Sequence, residues 1–174
     1  MEYVFTLKYQ LADGLGDPDR VVARLGDAGC DDALVGIGQP GRLALAFTRE
    51  APSADAAVRS ALADVRRAVP EARLIEVAPD LVGLTDVAEM IGVSRQNMRK
   101  LMLSHPGSFP TPVHEGSASI WHLVDVLAWL QAKGTYSLAR EALDVARVAL
   151  QVNLAKEGQR LPRAAARELQ ALVG

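Results

Sequence analysis

The stretch Leu84–Leu103, LTDVAEMIGVSRQNMRKLML, decides how this chain is to be read. Val87, Ala88 and Ile91 recur at helical spacing, and a Gly92-Val93-Ser94 corner follows. In the next segment Met98 and Leu101 return to one face, while Arg95, Gln96, Asn97, Arg99 and Lys100 fall largely on the other. The pattern predicts two short helices packed at a steep angle, the second with a free polar side.

Each corner residue has a physical reason to be there. Ala88 stands where the helices cross, and a larger side chain would push them apart. Gly92 follows the last apolar residue, where a left-handed backbone ends a helix at little steric cost. Val93 plugs the corner. Ser94 is an N-cap whose hydroxyl accepts an orphan backbone N–H.

The outward residues of the second helix suit duplex DNA. Gln96 and Asn97 are able to make paired hydrogen bonds to adenine, and Arg95 or Arg99 to guanine. Lys100, and whichever arginine misses a base, would hold phosphate. An ordinary helical hairpin with a solvated polar face fits the same spacing. The agreement of small residue, glycine, corner valine, cap and two returning apolar residues favours the DNA reading.

Composition bounds the alternatives. The chain has 174 residues, nearly half of them apolar at 49%, enough for one or two domains with real cores. No apolar run reaches the length of a membrane span and no basic-then-apolar signal opens the chain, so a cytoplasmic location is expected. The single cysteine, Cys30, excludes an internal disulfide framework and a multi-cysteine zinc site. The net charge of −2 conceals a gradient. Residues 1–83 hold 9 basic and 13 acidic groups, residues 84–134 hold 4 of each, and residues 135–174 hold 6 basic and 4 acidic. The N-terminal part is thus unsuited to a phosphate backbone, and the basic groups of the middle part gather on one helix.

Residues 1–79 read as a small α/β sandwich. Tyr3–Leu11 settles into strand alternation, and Asp17-Pro18 opens a helix with inward Val21, Val22 and Leu25, stopped at Gly29. Asp32–Ile37 and Arg42–Thr48 flank a Gly38–Gly41 turn. Ser53 or Asp55 caps a helix with the stripe Ala57, Ala61, Leu62 and Val65, and Arg73–Val77 is the last strand. The order βαββαβ predicts a four-stranded antiparallel sheet with both helices on one face, the ferredoxin-like plan. The loop 12–16 offers a phosphate turn in principle, but it lacks a basic residue and Asp13 and Asp17 repel anions, so a plain turn is expected. Cys30 beside Asp31 and Asp32 has the wrong neighbours for a nucleophile. No catalytic site, metal site or cofactor is expected, and the chain is read as not an enzyme. Gly36 and Gly38 either line a ligand cleft or serve hairpin geometry.

Downstream, Phe109-Pro110-Thr111-Pro112-Val113 is followed by Ile120-Trp121-His122 and Asp125-Val126-Leu127-Ala128-Trp129-Leu130. Together with GVSRQNMRKLM, these pieces resemble the AlpA-like and excisionase-like winged helix-turn-helix proteins, relatives of the MerR DNA-binding domain, over residues 84–133. The resemblance implies a winged domain over 80–134, with the hairpin 112–121 near a flanking backbone. It implies Ser94, Arg95, Gln96, Arg99 and Lys100 as DNA contacts. Family wings often carry arginines, whereas this one has His114, Glu115 and His122; His114 either reaches a phosphate or sits on the surface. Trp121, Val124, Leu127 and Leu130 form an apolar face, with Trp129 beside it, that closes over the two helices.

Residues 135–174 read as a helical arm. Ser137 caps a helix to about Lys156, with Leu138, Ala142, Val145, Ala149 and Val152 spaced as a coiled-coil seam. Leu143, Val148, Leu150 and Leu154 widen that apolar surface, which must be buried on the chain's own domains or on a second copy. Pro162 opens a last helix with Ala165, Leu169 and Val173 inward, and with Arg160, Arg163 and Arg167 free for phosphate or solvent. The expectation is an α+β, sequence-specific transcriptional regulator that binds double-stranded DNA, a homodimeric repressor of its own or neighbouring genes joined through its C-terminal helix. The alternatives are an antitoxin or adaptor whose N-terminal domain binds a protein, and a small-molecule sensor coupled to DNA binding.

Overall fold

Alternation along two nine-residue strands, β1 (Glu2–Gln10) and β3 (Arg42–Glu50), builds the first core. Tyr3, Phe5, Leu7 and Tyr9 face the same side as Leu43, Leu45 and Phe47, and all are buried. The computed structural model describes residues 1–12 and 17–173, so the phosphate turn considered above lies largely outside the described residues. Among the described residues the chain is mixed α+β, with seven helices and two small antiparallel sheets.

Between β1 and β3 lie α1 (Pro18–Asp27) and the short β2 (Ala33–Gly36); α2 (Ala54–Ala68) and β4 (Arg73–Ala78) follow. Asp17 accepts from the Asp19 N–H at 3.0 Å, and Ser53 rather than Asp55 caps α2, accepting from the Ala56 N–H at 3.1 Å. The four strands pair antiparallel in the order β2-β3-β1-β4. Val21 and Leu25 of α1 join the core under this sheet, whereas Val22, expected inward, lies on the solvent side.

The second core forms around α3 (Leu84–Ile91) and α4 (Arg95–Ser104), closed by α5 (Leu123–Lys133). Val87, Ala88 and Met98 meet Leu123, Val126, Leu127 and Leu130, all fully or almost fully buried. A second sheet, β5 (Leu81–Val82), β7 (Ser119–His122) and β6 (His114–Glu115), pairs in that order. Trp121 and Trp129 flank Phe109 edge-on at 6.0 and 5.1 Å, and the Trp121 indole N–H donates to the Pro110 carbonyl at 3.0 Å. Both tryptophans are therefore held in the packing, Trp129 at its margin.

The C-terminal arm departs from expectation. Helix α6 (Arg140–Gly158) starts three residues after Ser137, with no side-chain cap. Its seam is filled within the chain. Val145, Val148 and Ala149 belong to the first core, and Leu143 and Ala146 to the second. The seam is thus not free to join protomers: the chain's own sheet and helices supply enough apolar surface to cover it. Helix α7 (Arg163–Val173) is the reverse case, for Leu169 and Val173, expected inward, are exposed and none of its residues is buried.

The junction between the cores is polar and satisfied. Asp80 is 2% exposed, accepts from Asn153 Nδ2 at 2.7 Å, and lies 2.7 Å from His122 Nδ1. Asn153 also brackets Val77, accepting from its N–H at 2.8 Å and donating to its carbonyl at 2.9 Å. Lys156 donates to the Ile75 carbonyl one turn further on.

Candidate nucleic-acid interface

Helix α4 is positioned by its corner. Gly92 sits at φ 73°, ψ 31°, and the Val93 N–H reaches back to the Ala88 carbonyl at 2.9 Å. A left-handed residue with its successor's N–H turned to the previous helix closes that helix and re-aims the chain. Val93 then packs at the edge of the second core. Ser94 Oγ accepts from the Asn97 N–H at 3.1 Å, starting α4 at once. Met98 is wholly buried and Leu101 half-buried, which pins one side of the helix.

The opposite side is free. Ser94, Arg95, Gln96, Asn97, Arg99 and Lys100 are all exposed. Among the described residues none of the three cations makes an ion pair, although ten other pairs form across the chain. The contrast with Arg49 is instructive. That guanidinium is buried against Asp32 (2.7 and 2.9 Å), Asp64 (2.7 Å), Ser60 (3.0 Å) and the Gly29 carbonyl (2.8 Å), and its positive charge is spent inside the fold. Its hydrogen bonds to Asp32, foremost, lift its pKa above the usual arginine range. Arg95, Arg99 and Lys100 have no such partner, so their charge remains available to a ligand.

The hairpin that follows is only weakly basic. His114 is exposed, and its ring folds over the tip so that a Cβ on Gly116 would lie 2.6 Å from Nε2. Any side chain at 116 would displace the imidazole. His122, the other histidine of this hairpin, is engaged by Asp80 and does not face outward as a phosphate contact. The six predicted residues of α4 and its cap therefore share one exposed face, while His114 lies apart on the β6–β7 hairpin.

Residue reading missed the polar knot of Asp80, His122 and Asn153 and the buried Arg49 cluster. Neither carries a local signal, because their partners lie 73 and 15–17 residues away. Among the described residues no group of three or more His, Cys, Asp or Glu side chains is arranged to hold a metal ion. No helix there is long and apolar enough to cross a membrane. Comparison with protein-family models, with curated proteins and with solved structures finds no match.

Proposed function

We propose that the chain is a sequence-specific DNA-binding transcriptional regulator, a winged helix-turn-helix joined to a ferredoxin-like sandwich, which represses its own or neighbouring genes. The observation that carries this reading is the exposed face of α4, where three cations, unpaired among the described residues, share one surface with two amides. A surface helix needs no such arrangement to fold. A reader of the major groove does, because amides and guanidinium groups match the paired donors and acceptors of base edges.

In this reading Gln96 and Asn97 address adenine, Arg95 and Arg99 address guanine, and Lys100 anchors a phosphate. Ser94 stands at the N-terminus of α4, where the helix dipole favours phosphate. The wing contributes little, since His114 is its one outward-facing basic group. The acidic N-terminal part keeps the chain from coating nucleic acid indiscriminately, so binding depends on the one basic face.

Fluorescence anisotropy with fragments of the DNA flanking the gene tests the reading. The full chain is expected to prefer one fragment over random duplex. The Arg95→Ala/Arg99→Ala double variant is expected to lose that preference with an unchanged melting temperature. Equal affinity for all duplexes, or an unaffected double variant, defeats it.

A further inference from the structure

The four-stranded sheet has two faces, and among the described residues no helix covers the second. The row Leu34, Ala46, Thr6 and Ala78 crosses that open face in register, one residue from each strand. Leu34 is 79% exposed and Val4, two residues along β1 from Thr6, is 67% exposed. Leu34 and Val4 are thus the large apolar side chains left in water on an otherwise small-residue, uncharged stripe.

Charge is sorted along the strands. Glu2 and Glu50 face each other at one end of the open face. Arg42 and Arg73, both beside Gln10, stand at the other end with Lys8, which is paired to Glu76 at 2.6 Å. Among the described residues Glu2, Glu50, Arg42 and Arg73 make no ion pairs.

We infer that this face binds a second copy of the chain, stacked about a two-fold axis that lies in the interface, perpendicular to the strands, and passes over Ala46 and Thr6. Such an axis keeps each strand over its own copy and reverses its direction. Arg42 and Glu50 lie at equal distances on either side of Ala46, so each Glu50 meets the partner's Arg42. Glu2 likewise falls over Gln10, between Arg42 and Arg73. Leu34, Ala46 and Thr6 meet themselves in the middle. A hollow of about 410 Å³ at the basic end, lined by Lys8, Gly36, Gly38, Arg42, Ala44 and Ile75, receives the partner's Glu50 end.

The contact is small, so the charge pairing and not the area carries the inference. The 28 residues of the four strands, at ~3.3 by 4.8 Å each, give a flat footprint of about 440 Å² per copy. Two copies bury roughly 900 Å² before side-chain relief is added, the range of weak, reversible association. Stacked sheets about 10 Å apart and rotated by ~30° preserve these pairings, because the opposed charges sit on long side chains.

The inference is independent of the DNA reading and is tested without DNA, by sedimentation equilibrium of the full chain. Wild type is expected at twice the monomer mass. Leu34→Glu, Arg42→Glu and Glu50→Arg are each expected to halve it. The Arg42→Glu/Glu50→Arg double variant is expected to restore the dimer, a rescue that only the reversed stacking provides. All three positions are exposed, so an unchanged circular-dichroism spectrum with a cooperative melt excludes misfolding. A monomeric wild type overturns the inference. So does a dimer that ignores these substitutions, or one lost only when residues 161–174 are removed, which would assign association to α7.

Discussion

Asn153 donates from Nδ2 to the carboxylate of Asp80 at 2.7 Å, across 73 residues of sequence. The same amide holds both backbone groups of Val77, so one α6 side chain fastens strand β4, the junction and, through Asp80, His122. Burying a carboxylate is costly unless its oxygens are occupied. Asn153→Leu keeps the volume but leaves Asp80 with one fewer donor and Val77 unpaired. A loss of about 2–4 kcal/mol is expected in urea unfolding.

Arg49 makes a comparable prediction for the N-terminal core. Arg49→Met strips the partner from Asp32 and Asp64 while keeping the side chain's length, and about 3–5 kcal/mol should be lost. Arg49→Lys retains the charge, yet an ammonium cannot serve Asp32 with two parallel bonds and also reach Asp64 and Gly29. Its denaturation midpoint should fall between those of wild type and the methionine variant.

Cys30 supplies a pH dependence. Burial first, and then the charge of Asp64, push its thiol from an ordinary 9.0 up to about 11. The folded chain therefore keeps a proton that the unfolded chain releases. The stability this group contributes is fully present below pH 9 and is lost as pH rises through about 11. Cys30→Ser or Cys30→Ala should flatten that part of the stability profile, and a thiol reagent should label the native chain far more slowly than the unfolded one.

At Gly92 an added Cβ meets no atom within 4 Å, so the cost of Gly92→Ala is that of the backbone alone. A φ of 73° disfavours alanine by about 1–2 kcal/mol. Thermal melts should register that loss, with Gly92→Asn milder because asparagine tolerates this region.

On the DNA reading, the cations and amides of α4 separate by salt. Lys100→Ala should weaken binding to every duplex alike and lower the salt slope by about one. Gln96→Ala should leave the slope unchanged and relax discrimination at one base pair. Anisotropy titrations at several salt concentrations check both.

How far these features were legible depends on where their causes lie. The α3–α4 corner was readable because Gly92, Val93 and Ser94 act on neighbours within a turn. Strand β1 was readable because alternation persists along it, and β2, β3 and β4 were readable as short apolar runs between turn and helix signals, although Glu50 and Ala78 extend two of them beyond the pattern. Strand β5 went unseen, for two residues show no period. On α6 the spacing of Val145, Ala149 and Val152 declared a buried seam but could not say what buries it. The free cations of α4 were predictable as exposed, whereas their lack of carboxylate partners is a matter of three-dimensional placement. The engagement of His122 was hidden because Asp80 lies 42 residues upstream.

The sharing of α6 between the two cores bears on how the chain is made. Val145 and Ala149 complete one apolar layer and Leu143 and Ala146 the other. During synthesis, neither layer is sealed when its own segment leaves the ribosome. Both wait, with greasy faces open, for a helix encoded after them, and a stop codon placed ahead of it would ruin the two together.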